Sequence, residues 1–302
     1  MNMARTVWAV VVAYRDPLSL KSCVIALANQ TVSIERLIVV DNDASYDVRA
    51  VIAEASPGSA TVIDIVAPGR NLGSAGGFAL GMENAYQNGA VWVWLHDEDD
   101  APERECLERL LAFPTGKIRS PRIIDPTTRK TLLYFKRLQG PLGYFFPAPP
   151  DRQEIDIAGT AGLLIHREVM QTIGSYDPRF FVGFEDYDYC LRAARAGYPV
   201  TVVNEAVVHH PDHQSLISAR TRLLENVLAY LPSFWGIIRT GTGRDFYTVR
   251  NYIRLSKLHK PKAILALEML MSLCFLPILR LLDSRIEFRT TLKTYLKTIC
   301  AG

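Results

Sequence analysis

The sequence predicts an α/β protein on a mostly parallel, doubly wound sheet, with a helical C-terminal region. Three observations predict it. Short β-branched apolar runs recur through the first hundred residues: TVWAVVVAY, RLIVVD, ATVIDIV and VWVWL. Segments of helical spacing separate them, the pattern of strands joined by crossover helices. Polar turns rich in acids follow these runs, at the carboxyl strand ends where open α/β sheets bind ligands.

Thr6–Tyr14 reads as a buried first strand, too short and wrongly flanked for an export signal. Pro17–Asn29 is helical, with Leu18, Cys23, Ile25, Leu27 and Ala28 as apolar members. Arg36–Asp41 and Ala60–Val66 are the second and third strands, Ala75–Asn88 is a helix fronted by glycines, and Val91–Leu95 is the fourth strand. A helix starts near Pro102. Pro114–Pro150, rich in Pro, Gly and aromatics, reads as loops with a weak strand or two, part of an acceptor site. Ile155–Ile165 holds a strand, followed by a helix near Arg167–Ile173. Tyr187–Ala196 is helical and stops at Gly197, and Pro199–Val208 contains another strand. Beyond Gln214 the pattern is mostly helical, so the chain divides into a ligand-binding and catalytic domain over 1–213 and a helical region over 214–302.

The 302 residues suit one large domain or two smaller ones, and a net charge of +3 is mild. Five scattered cysteines form no CxxC pair, which points to free thiols in a reducing, cytoplasmic setting. Basic residues gather late, with Lys257, Lys260, Lys262, Arg280 and Arg285 around the apolar stretch Ala263–Leu282. Glu268 and Arg280 make full insertion in a bilayer costly. A helix lying on a membrane surface is expected, or else a helix packed on the main domain or between two copies of the chain. No nucleic-acid partner is expected.

The chemistry concentrates in VWVWLHDEDDAP, where an apolar run ends in Asp97, Glu98, Asp99 and Asp100. Acids this dense repel one another, and a divalent cation such as Mg²⁺ or Mn²⁺ removes the repulsion. A solvated acidic turn capping the next helix is the simpler alternative. NLGSAGGFALG at Asn71–Gly81 opens a helix with small residues that let a phosphate or sugar approach backbone N–H groups. Its place after the third strand and its spacing miss the dinucleotide fingerprint. VVDNDASYD offers carboxylates and an amide to a pyrimidine base, or simply caps a turn. In FVGFEDYDYCLR, Glu185, Asp186 and Asp188 crowd a helix start, where the helix dipole alone favours them. HHPDH, at His209, His210 and His213, has no cysteine partner for a zinc site, and one histidine joining the acidic group is more economical.

Taken in order, VVAYRDPLSL, VVDNDAS, NLGSAGGF, WLHDEDD and GFEDYDYCLRAARAGYPV followed by the two histidines resemble glycosyltransferase family 2, inverting enzymes of the GT-A fold. The resemblance covers roughly Val7–His210 and is strongest to bacterial galactofuranosyltransferases, with the related rhamnosyltransferases next. It implies that Tyr14 and Arg15 border the nucleobase, Asp41 or Asp43 contacts uridine, and Asn71 lies near the nucleotide, with Gly76 and Gly77 leaving room for the donor. Asp97 and Asp99, with His210, would hold Mn²⁺ or Mg²⁺ on the diphosphate. Glu98 takes the middle place of the triple-acid motif, often Asp in the family. Asp186 would be the base that deprotonates the acceptor hydroxyl, beside Glu185 on the acceptor side. The implied donor is UDP-galactofuranose, or dTDP-rhamnose, and the implied acceptor a glycan or a polyprenyl-diphosphate-linked sugar at the inner face of the cell membrane. The QxxRW motif of sugar polymerases is absent, which favours addition of one or a few residues. A nucleotidyltransferase would carry a basic, glycine-rich loop after the first strand, where this chain has AYRDPLSL. A non-catalytic binding scaffold would tolerate loss of Asp186, yet the full acidic set is present.

Overall fold

Strand β1 (Val7–Ala13) is buried along its whole length, which requires protein on both faces and neighbours on both edges. In the computed structural model the described residues are 6–55, 61–131, 136–139, 144–147, 154–211, 245–263 and 266. On one edge β1 pairs in parallel with β2 (Arg36–Asp41), which in turn pairs with β3 (Val62–Val66); on the other it pairs in parallel with β4 (Trp92–Asp97). Helix α1 (Pro17–Ala28) makes the first crossover, started by Asp16, whose side chain accepts from the Ser19 N–H. Helices α2 (Val48–Ala55) and α3 (Gly73–Gln87) make the next two. The register sets Val12 of β1 opposite Asp97 of β4 and Ala13 opposite Asp41 of β2. Chain direction therefore delivers the turns after β1, β2 and β4 to one end of the sheet, at the point where strand order reverses.

Beyond β4 the sheet becomes mixed. Its order is β3-β2-β1-β4-β10-β6-β11-β5, where β5 is Ala101–Pro102, β6 is Ile118–Ile124, β10 is Leu163–His166 and β11 is Val200–His209. β10 runs antiparallel to both β4 and β6, and β11 runs parallel to β6. Short β9 (Glu154–Ile155) pairs with β11. β7 (Lys136–Gln139) and β8 (Tyr144–Pro147) form a separate two-stranded ribbon. Helices α4 (Cys106–Ala112), α5 (Arg167–Ile173) and α6 (Glu185–Arg195) complete this part, and α5 ends at Gly174 with φ 75°. The main core joins Val7, Ala9 and Val11 of β1 to Leu20, Cys23 and Leu27 of α1, Trp94 of β4 and Leu107 and Leu110 of α4.

The central strand β6 sharpens the sequence reading, which finds only loops with a weak strand or two in Pro114–Pro150. Two arginines, a serine and a proline hide it in IRSPRII. Arg119 is buried because its guanidinium donates to the Leu110, Leu111 and Gly116 carbonyls and lies 4.6 Å from the centre of the Trp92 ring. A buried charge satisfied in this way is compatible with a strand interior, although its residue type argues otherwise.

The described residues fall into two compact units. One draws on Met1–Arg137, Pro147–Phe181 and Glu185–Asp212, the other on Leu138–Phe146, Val182–Phe184 and His213–Gly302. In the second unit, helix α7 (Asp245–His259) buries Asn251, Tyr252, Ile253 and Leu255. Among the described residues no helix is long and apolar enough to cross a membrane. Nearly all of Ala263–Leu282, expected to meet the membrane or another chain, lies outside the described residues, as does His213.

Candidate active site

The acids after β4 are arranged by a tight turn in which the Asp100 N–H donates to the Asp97 carbonyl at 3.1 Å. The turn folds Asp100 back beneath the strand, 1% exposed. One Asp100 oxygen accepts from the Asp97 N–H at 3.1 Å and meets His96 Nδ1 at 3.1 Å. The other meets His210 Nδ1 at 2.8 Å. His210 comes from the end of β11, where its own N–H donates to the Ile124 carbonyl at 3.0 Å. Ligand atoms of Asp97, Asp100 and His210 all lie within 4.8 Å of one another.

Of the three residues expected to bind metal, Asp97 and His210 are therefore brought together. Asp99 sits at the edge of the group, 3.5 Å from His210 Nδ1. Asp100 belongs to the group although the sequence reading does not nominate it. Four consecutive acids carry no mark of which ones a turn will point inward. The His210 Nδ1–Asp100 contact is the kind of carboxylate–histidine pairing that orients a metal-binding imidazole. The adjacent histidine is engaged elsewhere, with His209 Nε2 3.2 Å from Glu103.

The electrostatics fit a cation. Burial, then the charges of Asp100 and Asp99, push the Asp97 carboxyl well above its usual range. Burial also opposes ionisation of Asp100, but hydrogen bonds from His210 and His96 outweigh it and hold that carboxyl below its usual value. Burial alone would lower His210; the Asp100 hydrogen bond and the charges of Asp100, Asp99 and Asp97 instead raise it to about 10.

Glu98 turns away from this group. Its Oε2 accepts from the Tyr14 N–H at 2.7 Å, tying the β4 turn to the loop after β1. Burial raises its carboxyl to about 8. The extra methylene of Glu over Asp supplies reach for this link. Arg15, at φ 66°, lies 4.9 Å from the centre of the Tyr14 ring, and its Nε meets Asp43 at 2.7 Å. Asp41 accepts from the Ala44 N–H at 2.9 Å, so part of its capacity closes its own turn.

Asn42, the amide between those two acids that the sequence reading offers to a pyrimidine base, is instead committed to the neighbouring loop. It is 2% exposed. Its amide donates to the Gly73 carbonyl at 3.0 Å and to Asn71 Oδ1 at 3.3 Å, and its oxygen accepts from the Leu72 N–H at 2.9 Å. Asn71 Oδ1 also accepts from the Gly73 N–H at 2.7 Å. Asn42 thus shapes the loop that carries Asn71.

The expectation that Gly76 and Gly77 leave room for the donor meets a different geometry. Both are buried. A Cβ on Gly76 would come 2.7 Å from Leu72 Cβ, and one on Gly77 would come 2.9 Å from Val12 Cγ1, so both glycines let α3 pack. The most constrained position is Gly73, at φ +69°, where a Cβ would lie 2.0 Å from the Phe181 carbonyl oxygen.

The three acids that open α6 are separated by their partners. Asp188 pairs with Arg192 at 2.8 Å, and Arg192 also donates to the Ile173 and Ser175 carbonyls, which makes Asp188 a packing residue. Glu185 accepts a short hydrogen bond from the Ser74 hydroxyl at the start of α3. Asp186 accepts from the Tyr187 N–H at 2.8 Å and is half-buried. Glu185 is near enough to the Asp97–Asp100–His210 group for its charge to raise the Asp97 carboxyl. The acids after β4, the start of α3 and the start of α6 thus face one another.

Comparison with known proteins agrees. The profile of glycosyltransferase like family 2 matches residues 4–225. The galactofuranosyltransferase GlfT1 of Mycobacterium tuberculosis is 34% identical over 223 residues, spanning 69% of this chain and 71% of that one. The dTDP-rhamnosyl transferase RfbF of Shigella flexneri is 22% identical over 283 residues, 90% of this chain and 87% of that one. Among solved structures, S. aureus TarS 1–349 in complex with UDP superposes with a TM-score of 0.56 at 12% identity, covering 98% of this chain and 92% of that one. GalNAc-T7 with UDP, GalNAc and Mn²⁺ gives a TM-score of 0.55 at 12% identity, covering 89% of this chain and 57% of that one. These likenesses identify the fold as GT-A. A parallel half-sheet, an acidic turn at its switch point and a profile match over most of the chain lead to one statement: this chain belongs to glycosyltransferase family 2.

Proposed function

We propose that this protein is an inverting, metal-dependent galactofuranosyltransferase. It moves galactofuranose from UDP-galactofuranose to a hydroxyl of a lipid-linked or growing cell-surface glycan. The observation that carries the choice of sugar is the 34% identity to GlfT1 over 223 residues. RfbF supports a second reading, rhamnosyl transfer from dTDP-rhamnose, at lower identity over a longer span.

The residues fit a divalent metal, Mn²⁺ or Mg²⁺: buried carboxylates that repel one another and an imidazole held by a carboxylate. Asp97, Asp99 and His210 would hold the ion, with Asp100 orienting His210. When bound, the ion supplies Lewis-acid neutralisation of the departing diphosphate. Tyr14, Arg15, Asp41, Asp43 and Asn71 border the nucleotide, and Glu98 fixes the Tyr14 loop against the acidic turn. Asp186 takes the proton of the acceptor hydroxyl while that oxygen attacks the anomeric carbon from the face opposite the diphosphate. The new C–O bond forms as the bond to the diphosphate breaks, and the leaving oxygen keeps the electron pair. The anomeric centre inverts, and no covalent enzyme intermediate forms. Glu185 braces this face through Ser74. The division into a catalytic domain over 1–213 and a helical region over 214–302, with the latter on the cytoplasmic membrane surface or in a homo-oligomer contact, belongs to the same proposal.

Radiolabelled transfer from a panel of nucleotide sugars to membrane lipid extract tests the reading. Label is expected in the lipid fraction from UDP-galactofuranose in the presence of Mn²⁺ or Mg²⁺. Label from dTDP-rhamnose alone would select the second reading, and none from either donor would refute both.

A further inference from the structure

The segment that leads into α6 is held in an unfavourable backbone conformation. Phe181, Gly183 and Phe184 all have positive φ, at 65°, 83° and 70°. Two of the three are bulky side chains, which seldom occupy this region unless surrounding contacts fix them. The contacts are present at consecutive carbonyls. Phe181 oxygen accepts from the Ala75 N–H at 3.0 Å. Val182 oxygen and Gly183 oxygen both accept from the amide of one residue, Asn251 of α7, each at 2.8 Å. Asn251 is 0% exposed, and its own oxygen accepts from Arg250 Nε at 2.9 Å, which fixes the amide with its donors toward the strap. Beside it, the Phe184 ring meets Tyr252 edge-on, with centroids 6.1 Å apart. Val182–Phe184 pack with α7 as part of the same compact unit, and one peptide bond later the chain enters α6 at Glu185 and Asp186.

We infer that Asn251 is a positioning residue for sugar transfer: by holding the Val182 and Gly183 carbonyls it sets the strap whose next residues are Glu185 and the base Asp186. This rests on the proposed role of Asp186. The side chain suits the task. A single amide nitrogen carries two donors and can satisfy two neighbouring carbonyls at once. Asp at this position would set a carboxylate against both oxygens, and Ala would remove the donor that both carbonyls share.

The test compares wild type with Asn251→Ala in the full chain, by steady-state transfer and by amide hydrogen exchange. The inference expects kcat to fall at least about tenfold, with donor KM and UDP–Mn²⁺ affinity within about twofold of wild type. It expects exchange in peptides covering 182–187 to accelerate at least about tenfold while peptides of β1 and β4 stay unchanged. A merely structural asparagine would lower the melting temperature yet leave kcat per folded molecule at the wild-type value, and that result overturns the inference. Unchanged exchange in the strap also overturns it. If Asn251→Ala does not fold, Gly183→Ala decides: a Cβ there has nothing within 4 Å and only disfavours φ +83°. A fall in kcat at constant donor affinity supports the inference, and wild-type kcat overturns it. If wild type transfers no sugar from any donor, the functional reading fails while the exchange measurement still decides whether Asn251 holds the strap.

Discussion

Asp186→Asn is expected to lower transfer about 10²–10⁴-fold, the usual contribution of a positioned general base, while UDP and Mn²⁺ bind as in wild type. Asparagine keeps the size of the side chain and can still accept from the Tyr187 N–H, the bond that Asp186 makes at 2.8 Å. It cannot accept the acceptor's proton. The neighbours sharpen the comparison. Asp188→Asn should loosen the Arg192 anchor beneath α6 and appear as reduced thermal stability, because Asp188 is committed to that pair at 2.8 Å. Steady-state kinetics with isothermal titration of UDP in Mn²⁺ separates the two. Wild-type kcat in Asp186→Asn would remove the assigned role, and a parallel loss of UDP affinity would move Asp186 to the donor side.

The metal-binding group should give the second large effect, and its sign follows from His210. The fold raises this imidazole from an unfolded value near 6.5 to about 10. The metal-free fold therefore favours the protonated ring. Its contribution to stability is fully present below about 6.5 and is lost as pH rises through about 10. The raised Asp97 carboxyl acts in the same direction. Asp100 acts oppositely, since its lowered carboxyl loses its contribution only as pH falls through the acid range. Cation binding at His210 displaces the proton, so Mn²⁺ affinity should rise with pH, up to about tenfold per unit for one proton released. Titration between pH 6.5 and 8.5 measures the slope. Asp100→Asn should flatten it, because the carboxylate that holds the proton is gone. A pH-independent affinity in wild type would exclude His210 from the metal shell. Asp97→Ala should abolish metal-dependent UDP binding at every pH, and retained binding would count equally against the assignment.

The parallel half of the fold was legible because its inner strands β1, β2 and β4 are buried and read as continuous apolar runs, VWAVVVA for β1 and RLIVVD for β2. Motif order placed the acids of the site, since the turns after β1, β2 and β4 share one sheet end by chain direction alone. Strand β6 was not legible. Its Arg119 and Ser120 are buried and satisfied by partners that only tertiary structure supplies. The limits at the site have the same origin. Nothing in the run of acids separates Asp99 from Asp100, because the distinction lies in a turn bringing Asp100 to His96 and His210. The roles of Asn42 and Asn251 were not legible because each works on backbone groups remote in sequence, Gly73 and Leu72 for one and Val182 and Gly183 for the other. Gly76 and Gly77 show the converse: a glycine signal was visible, but packing against Leu72 and Val12 uses the space.

Anomalous scattering from crystals grown with UDP and Mn²⁺ tests the central claim most directly. The account predicts one manganese peak at about 2.0–2.3 Å from ligand atoms of Asp97 and His210, touching the UDP diphosphate, with the Asp186 carboxylate facing the same cleft. A peak away from Asp97 and His210, or UDP bound there without metal, would contradict it.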